Sequence, residues 1–490
     1  MHRWFITFCL GTILSEVHLQ SQPFDWHSLG PIYATVPKTL EDGERTEILG
    51  PLVHSETGMD KSGWGICPLF TFREDKGTDS SEFDLLYPVL TVDRFGTEYR
   101  FQIGQVFSFS GSGTQADQEK KKFTLFPLYF QQRSADPAEN YTALVPIYGH
   151  LKNRLFRDDV RFIMLPLYLQ SRKRDVVTDN YLFPLFHLRQ GNGLKGWQVW
   201  PLVGREHKDV TTFTNRFEEV QTSPGHDKLF ILWPFYFNNT LGINSTNATR
   251  QFGVLPFYTS QTSPARDSKT IGFPLGYTKT IDRERKYTEW DAPMPFVVFA
   301  RGEGKTVNRV WPFFSQARNA NLESDFYLWP IYKCNRETVS PFYRQRIRIL
   351  FYLYSDIIEK NTDTGTAMHR TDFWPLFTAR KDPNGSTRLQ VLALLEPFLP
   401  NNKSIERNYS PLWSIWRSEY NAKTEKRSDS FLWNLYRADK SPSSKKYSLL
   451  FGSFGYQVQG DQRSWKLFFI PFHHQRKSNQ APNAPDRLRD

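Results

Sequence analysis

Apolar runs with a central proline recur along the whole chain. The segment from Tyr181 to Val203 contains two of them, with Pro184 and Pro201 at their centres. The same arrangement recurs at Pro68, Pro88, Pro127, Pro146, Pro166, Pro234, Pro256, Pro274, Pro295, Pro312, Pro330 and Pro375, and in weaker form at Pro397, Pro411 and Pro471, while Asn434 takes the proline's place in FLWNLY. From Pro127 the successive steps are 19, 20, 18 and 17 residues. A period near 20 residues predicts one small structural unit copied many times.

The repeated unit is predicted to be a β-strand. A proline at the centre of every apolar run would break a helix at a cost of about 3 kcal/mol each, whereas extended runs rich in aromatic and branched side chains are typical of strands. Short connections such as Gly191–Gly193, Gly302–Gly304 and Asp382–Gly385 have the residues of tight turns. Such brief connections join antiparallel strands but not parallel ones. The sequence therefore predicts an all-β, antiparallel up-and-down meander of about 20 or more strands with a repeat of about 20 residues.

The position of the prolines and the need to cover the sheet edges both bear on whether this meander closes. Pairing the segment about Asn192 places Pro184 opposite Trp200, which would align the apolar runs as a belt about 20 to 25 Å tall across the strands. Each proline is then expected to mark a bulge at a shared level, since proline cannot donate to a continuous ladder. A large closed β-barrel is the first expectation because an open sheet would expose its edges. The alternative is a β-propeller or multi-sheet array, which suits runs that are apolar on both faces.

The domain organisation is expected to be simple. Residues 1–21 have a basic start and an apolar run that resemble a secretory signal peptide, with a buried N-terminal segment as the alternative. Residues 22–475 are interpreted as one repetitive all-β domain, and residues 476–490 as a polar disordered tail. With Cys67 and Cys334 as the cysteines left after signal removal, one disulfide is possible but the sequence does not indicate whether they pair.

The composition and the net charge indicate which classes of binding partner are expected. Hydrophobic residues make up 39% of the chain and aromatic residues 16%, which excludes a disordered protein. The net charge of +11 favours acidic partners such as outer-membrane lipid or an anionic polysaccharide. The basic residues are spread over the whole length, whereas a nucleic-acid domain would concentrate them. No specific nucleic-acid partner is therefore expected.

The motifs WPLF, LWPFYF and LWPIY, together with YTEWDAPMPF (287–296) and NYSPLWSIWR (408–417), resemble exported Trp-Pro repeat proteins of bacteria with two membranes. The resemblance covers most of the chain. It implies a location in the cell envelope and carries over neither an activity nor a site.

Few residues suggest catalysis or ligand binding. Glu289, Asp291, Trp290 and Arg301 form the best group of charges beside aromatic rings and are the candidate binding residues, since paired carboxylates among aromatic side chains can bind or cleave sugar. The alternative is a salt-bridge group in a loop. The segment GEGKT (302–306) has Phe299 where a phosphate-binding loop needs its first glycine, so it is interpreted as a turn. We expect no catalytic residue, no metal site and no cofactor.

Three functions are consistent with this sequence. The first is a non-enzymatic cell-envelope protein, either an outer-membrane-type β-barrel or a structural component, exported to the outer membrane or periplasm. The second is a soluble exported scaffold of β-repeats that binds an anionic polymer or polysaccharide. The third is a carbohydrate-active enzyme that uses acids such as Glu289.

Overall fold

The computed structural model describes residues 28–104, 106–113, 120–214, 218–460 and 462–474. The predicted signal segment (1–21) and polar tail (476–490) lie outside these residues.

Short strands make up most of the described chain. The first part contains β1 Tyr33–Pro37, β2 Glu44–Ile48, β3 Val53–Thr57, β4 Lys61–Ile66, β5 Phe70–Asp75, β6 Ser80–Leu85, β7 Leu90–Phe95, β8 Glu98–Ile103, β9 Phe107–Gly111, β10 Lys121–Leu125, β11 Tyr129–Arg133, β12 Tyr141–Leu144, β13 Tyr148–Arg154, β14 Arg157–Ile163 and β15 Tyr168–Lys173. The middle part contains β16 Val176–Tyr181, β17 Phe186–Gly191, β18 Leu194–Val199, β19 Val203–Lys208, β20 Thr211–Thr214, β21 Val220–Ser223, β22 Gly225–Ile231, β23 Tyr236–Ile243, β24 Thr249–Val254, β25 Tyr258–Thr262, β26 Arg266–Ile271, β27 Tyr277–Asp282, β28 Tyr287–Asp291, β29 Val297–Gly302 and β30 Lys305–Val310. The last part contains β31 Phe314–Asn319, β32 Leu322–Tyr327, β33 Tyr332–Val339, β34 Phe342–Ile349, β35 Tyr354–Asn361, β36 Ala367–Phe373, β37 Phe377–Lys381, β38 Thr387–Val391, β39 Trp416–Asn421, β40 Lys426–Phe431, β41 Tyr436–Lys440, β42 Ser444–Leu449, β43 Phe454–Gln459, β44 Gln462–Leu467 and β45 Ile470–His474.

Within the described residues, helical structure is confined to three short segments: a 3₁₀ turn at Pro137–Glu139, α1 at Lys403–Asn408 and α2 at Ser410–Trp413. None of the helices in the described ranges is long and apolar enough to cross a membrane.

Forty-three of the strands form a single antiparallel sheet in which each strand pairs with its neighbours in the chain. β19 continues directly to β22, and β20 with β21 forms a separate hairpin. The predicted antiparallel meander is confirmed. The alternative of a propeller or multi-sheet array is wrong for these strands, because one continuous sheet leaves no separate blades. Among the described strands β1 and β45 are not paired with each other, so closure into a barrel stays a prediction.

The strong proline-centred runs are turns between strands, which corrects the prediction that each proline lies inside a strand; of the weaker ones, Pro411 lies in α2 and Pro471 lies in β45. Leu182, Phe183, Pro184 and Leu185 connect β16 to β17, and the polar segment after them forms the strand itself. Because proline has no amide hydrogen, it suits a connection better than a ladder with neighbours on both sides. One repeat of about 20 residues is therefore a hairpin of two strands, and the expected belt of strand centres 20 to 25 Å tall does not exist.

The meander places alternate connections on opposite edges of the sheet. We call one of them the apolar edge, formed by the turns 49–52, 67–69, 86–89, 126–128, 145–147, 164–167, 182–185, 200–202, 232–235, 255–257, 272–276, 292–296, 311–313, 328–331, 350–353, 374–376, 432–435, 450–453 and 468–469. The opposite, polar edge contains charged turns such as Lys38–Gly43, Arg283–Lys286 and Asp382–Ser386.

The two faces of the sheet also differ. We call the inner face the one that contains Glu47 of β2 and Ser428 of β40, through which the N-terminal and C-terminal parts of the sheet contact each other. Asn434 donates from Nδ2 to Glu47 Oε2 at 2.7 Å, and Thr39 Oγ1 donates to Ser428 Oγ at 2.7 Å. The opposite face is the outer face. The two ends of the sheet therefore meet through polar side chains.

The connection 392–415, between β38 and β39, contains both α-helices and helps to join these ends. Asn402 caps α1 by accepting a hydrogen bond from the Ile405 amide at 3.0 Å. From this helix Arg407 Nη2 donates to Asp84 Oδ2 at 2.8 Å, and Asn408 accepts from Thr71 Oγ1 at 2.6 Å. The connection thus attaches the C-terminal strands to the inner face of β5 and β6.

Candidate functional site: the apolar edge

Each turn of the apolar edge is held in a defined conformation. In the turn between β16 and β17, the Leu185 amide donates to the Leu182 carbonyl at 2.8 Å, and the Phe183–Pro184 peptide is cis. A proline in the cis form at the third position is the signature of a type VI turn. Leu182 has a φ of 48°, in the left-handed region. The side chains of Leu182, Phe183 and Leu185 in this turn are all about half exposed.

Neighbouring turns are hydrogen-bonded to each other. The Phe183 amide donates to the Pro166 carbonyl at 2.6 Å, and the Trp329 amide donates to the Pro312 carbonyl at 2.8 Å. The Trp233 amide donates to the carbonyl of Pro201 at 2.6 Å in the same way. These bonds satisfy backbone groups that a lone turn would leave to water, which is what a backbone in contact with lipid requires.

The side chains of these turns are apolar except for Asn434 and Ser453, and most of the large ones are open to solvent. Phe257 is 71% exposed, Phe313 is 60% exposed and Trp233 is 46% exposed. None of the turns that define the apolar edge contains Asp, Glu, Lys or Arg. A continuous exposed apolar surface of this kind marks a site of interaction rather than an ordinary protein surface.

A row of apolar residues on the outer face adjoins the apolar edge. Tyr181 pairs with Phe186, which pairs with Val199, and the same level continues through Val203 and Ile231. At this level every strand of the large sheet except β28 has an aliphatic or aromatic residue. Residues directly opposite each other on adjacent strands share a face of the sheet. The apolar surface of the turns therefore extends one row up the outer face.

The height of this surface is limited by charged residues at β26 and β27. In β26 the row residue is Ile271, and two residues further from the edge Lys269 lies on the same face opposite Lys279. Two residues of a strand span about 7 Å. With the turn included, the apolar band on the outside of the sheet is about 10 Å tall at these strands. From β4 to β10 it continues for one more row, which includes Trp64, Phe72 and Phe83, and reaches about 17 Å.

Aromatic rings contact one another along the apolar edge. The centroids of Phe296 and Trp311 are 5.4 Å apart, those of Trp311 and Trp329 are 5.9 Å apart, and those of Trp329 and Phe351 are 5.5 Å apart. Since the rings belong to consecutive turns, they pack side by side in the order of the hairpins. Such contacts stabilise the edge beyond the burial of the rings alone.

The candidate sugar-binding residues do not converge. Glu289 and Asp291 lie on the inner face of β28, opposite Ala300 and Val298. Trp290 lies on the outer face opposite Phe299, and Arg301 also lies on the outer face. The four side chains therefore divide between the two faces of the sheet, because alternate residues of a strand point in opposite directions.

The two carboxylates have different environments. Lys305 donates from Nζ to Glu289. Burial, together with the nearby Glu289 carboxylate, raises the pKa of Asp291 to about 6. Arg301 donates to the Val307 carbonyl at 3.0 Å and to Asn308 Oδ1 at 2.5 Å. These contacts are those of local strand pairing.

Among the residues that the structure describes, the cysteines, the possible metal ligands and the segment 302–306 form no further site. Cys67 and Cys334 are both buried and form no disulfide. No group of three His, Cys, Asp or Glu residues in the described part of the chain is arranged to hold a metal ion. The segment 302–306 lies at a tight connection between β29 and β30, as the sequence predicts for a turn.

The apolar edge was not predicted from the sequence. The available signal was the polar, alternating composition of the segments that follow each apolar run, such as HLRQ after Phe186. No protein-family model and no curated protein matches the sequence. The resemblance to exported Trp-Pro repeat proteins therefore stays a prediction.

Proposed function

We propose that this chain is a non-enzymatic cell-envelope protein that attaches to a lipid surface by inserting its apolar edge into one leaflet. The observation that supports this proposal is the row of hydrogen-bonded, charge-free, exposed turns along one edge of the sheet. Lipid is the partner that fits a long apolar edge whose backbone groups are already satisfied. The aromatic rings beside it are the residues that favour the membrane interface.

The height of the apolar band favours insertion into one leaflet over spanning. The hydrocarbon core of a bilayer is about 30 Å thick, and the outer band of a membrane-spanning barrel is about 25 Å tall. The band in this protein is about 10 Å tall at β26 and about 17 Å tall from β4 to β10, which is less than spanning requires and closer to the depth of elements that lie in the interface. We also propose that the sheet closes where its ends meet, so that the turns form a ring in one plane. The polar edge then stays in water.

The energy of insertion is sufficient without a covalent anchor. If each turn removes about 100 Å² of apolar surface from water, it contributes about 2.5 kcal/mol. Two or three turns then equal the membrane affinity of a single myristoyl chain, about 5 kcal/mol. The net charge of +11 adds attraction to anionic lipid.

Flotation of the full chain with vesicles tests this proposal. The edge variant replaces Phe235, Phe257 and Phe313, three exposed side chains of the apolar edge, with lysine. We expect it to lower partitioning onto uncharged phosphatidylcholine vesicles at least tenfold, because lysine is costly in the acyl region. Insertion of the parent protein also predicts quenching of turn tryptophans such as Trp233 by brominated lipid.

The matched control places the same three charges elsewhere. Met59, Phe95 and Phe156 are exposed apolar residues at the polar edge, and Phe156 is 97% exposed. Their replacement by lysine is expected to change partitioning by less than twofold. Equal losses in the two variants, or no binding of the parent protein to either uncharged or anionic vesicles, would contradict membrane attachment by this edge.

A further inference from the structure

A charged cavity of about 280 Å³ lies where the two ends of the sheet meet. It is bounded by β1 to β3, by β38 to β41 and by the connection that contains α1. Eight basic and five acidic side chains line it: Lys38, Arg45, Arg73, Arg388, Lys403, Arg407, Arg417, Arg437, Glu41, Glu47, Glu56, Glu406 and Glu419. Basic groups are therefore in excess.

The five acids of the cavity are all paired. Arg45 bonds both Glu47 and Glu56, each at 2.8 Å, and Arg388 contacts Glu406 at 2.6 Å. The remaining pairs join Glu419 to Arg388 at 3.6 Å and Glu41 to Lys38 at 3.1 Å. Arg407 and Arg437 pair with Asp84 and Asp439, which are not lining residues.

Arg417 has no such partner among the described residues. It lies on the inner face of β39, opposite Gln390 and Ser430. Its Nε and Nη2 atoms are buried and make no hydrogen bond to the protein. Burial, together with the positive charges of Arg388 and Arg45, lowers the pKa of Arg417 to about 10. Leaving buried guanidinium donors unpaired is costly, so the pattern indicates a ligand.

The geometry of the free atoms indicates the kind of ligand. Nε and Nη2 form one edge of the guanidinium, which donates two parallel hydrogen bonds to a pair of oxygens. Arg45 Nη2 and Arg407 Nε, which also belong to cavity-lining residues, are likewise buried without a hydrogen-bond partner. Three guanidinium groups therefore offer unused donors to a cavity with surplus positive charge.

We propose that this cavity binds a phosphate group, with Arg417 as its main, bidentate contact. A phosphate group suits the three guanidinium groups with unused donors, because guanidinium recognises phosphate oxygens in pairs. The cavity is also lined by Leu432 and Trp433, which belong to a turn of the apolar edge. A phosphate group can therefore come from a lipid head group at that edge or from a soluble phosphate ester.

Titration calorimetry of the full chain with inorganic phosphate, at constant ionic strength against chloride, tests the site. Arg417→Met keeps the aliphatic stem and removes the fork, and we expect at least a tenfold loss of phosphate affinity. Arg417→Lys keeps the charge without the fork and should lose affinity to an intermediate degree. Arg463→Met, at an exposed strand position on the outer face, is the matched control and should bind as the parent does.

A thermal melt separates loss of binding from loss of folding. Without phosphate, Arg417→Met should melt no lower than the parent protein, because it removes an unpaired buried charge. With phosphate the parent's melting temperature should rise, and that of Arg417→Met should not. Absence of phosphate binding by the parent at millimolar concentrations, or affinity of Arg417→Met within twofold of the parent, overturns the proposal.

Vesicles containing phosphatidic acid identify the source of the phosphate. If the parent prefers these vesicles over phosphatidylcholine and Arg417→Met loses this preference, the ligand is a lipid head group. If Arg417→Met loses inorganic phosphate but keeps the vesicle preference, the ligand is a soluble ester. The calorimetric result does not depend on membrane attachment, so the phosphate site and the proposed function can fail separately.

Discussion

His54 is expected to make the fold sensitive to acid. It lies in β3 on the inner face, is 3% exposed, and its Nδ1 is 3.5 Å from Cys67 Sγ. Burial, together with the positive charge of Arg45, lowers the pKa of His54 to about 4. The imidazole is therefore neutral in the folded protein at neutral pH. Protonating it inside the fold costs more than protonating it in the unfolded chain.

The size and sign of the effect follow from the two pKa values. An unfolded histidine titrates near pH 6.5, so a folded pKa of about 4 corresponds to about 3 kcal/mol. The stability linked to neutral His54 is fully present above pH 6.5. It is lost as the pH falls toward 4, because the unfolded state binds a proton at a higher pH than the folded state does. Glu56 extends the loss to lower pH, since Arg45 and Lys38 outweigh its burial and lower its pKa to about 2.

Urea unfolding at a series of pH values between 7 and 4 measures the contribution. His54→Gln removes the titrating group, and we expect its free energy of unfolding to fall by about 3 kcal/mol less than that of the parent over this range. His207→Gln, at an exposed histidine, controls for the loss of an imidazole in general. Parallel pH curves for the parent protein and His54→Gln would refute the reasoning, because they would mean that His54 binds its proton equally in both states.

Two further predictions concern charged groups in the sheet. Arg407→Met should lower the free energy of unfolding by about 3 kcal/mol, since it leaves Asp84 buried with one partner fewer, whereas Arg427→Met, at a more exposed pair, should cost less than about 1 kcal/mol. Urea unfolding of both variants checks the difference, and equal losses would contradict it. Asp291→Asn should stabilise the protein by about 1 kcal/mol at pH 7, a figure reduced for solvent screening at this part-exposed site. The raised pKa means that the native carboxyl gives full stability below about pH 4 and loses it as the pH rises through 6, so the gain should disappear in unfolding curves recorded at pH 4.

The period of the prolines and the residues of the tight turns were sufficient to predict an antiparallel meander. They did not reveal which part of each repeat is the strand. In KLFILWPFYFN the residues from Phe230 to Phe237 are the most strand-like by composition, yet Leu232 to Phe235 form the turn. Strand propensity describes side chains that fit a half-buried surface, and the turns of the apolar edge have that composition for another reason. The missing amide of Pro234 was the more reliable signal.

The candidate sites show where sequence reasoning fails. Once β28 is known to be a strand, alternation alone places Trp290 and Glu289 on opposite faces, but the sequence did not identify this segment as a strand. The cavity proposed to bind phosphate could not be predicted from the sequence for a different reason. Arg45 and Arg417 lie far apart in the chain and meet because the ends of the sheet approach each other. No local pattern encodes that approach.

The connection 392–415 shows where charged residues lie when they occur in a connection on the apolar edge. It joins β38 to β39 on that edge, but it contains charged residues, among them Glu396, Glu406 and Arg407. Its first residues keep the hydrogen bond that joins neighbouring turns of the apolar edge: the Ala393 amide donates to the Pro375 carbonyl at 2.8 Å. The charged part folds back onto the inner face, where Arg407 reaches Asp84 and the carboxylate of Glu396 accepts from Gln390 at 2.7 Å. Charges that would be costly at a lipid-facing edge are thus placed where they find partners, which is what attachment through this edge requires.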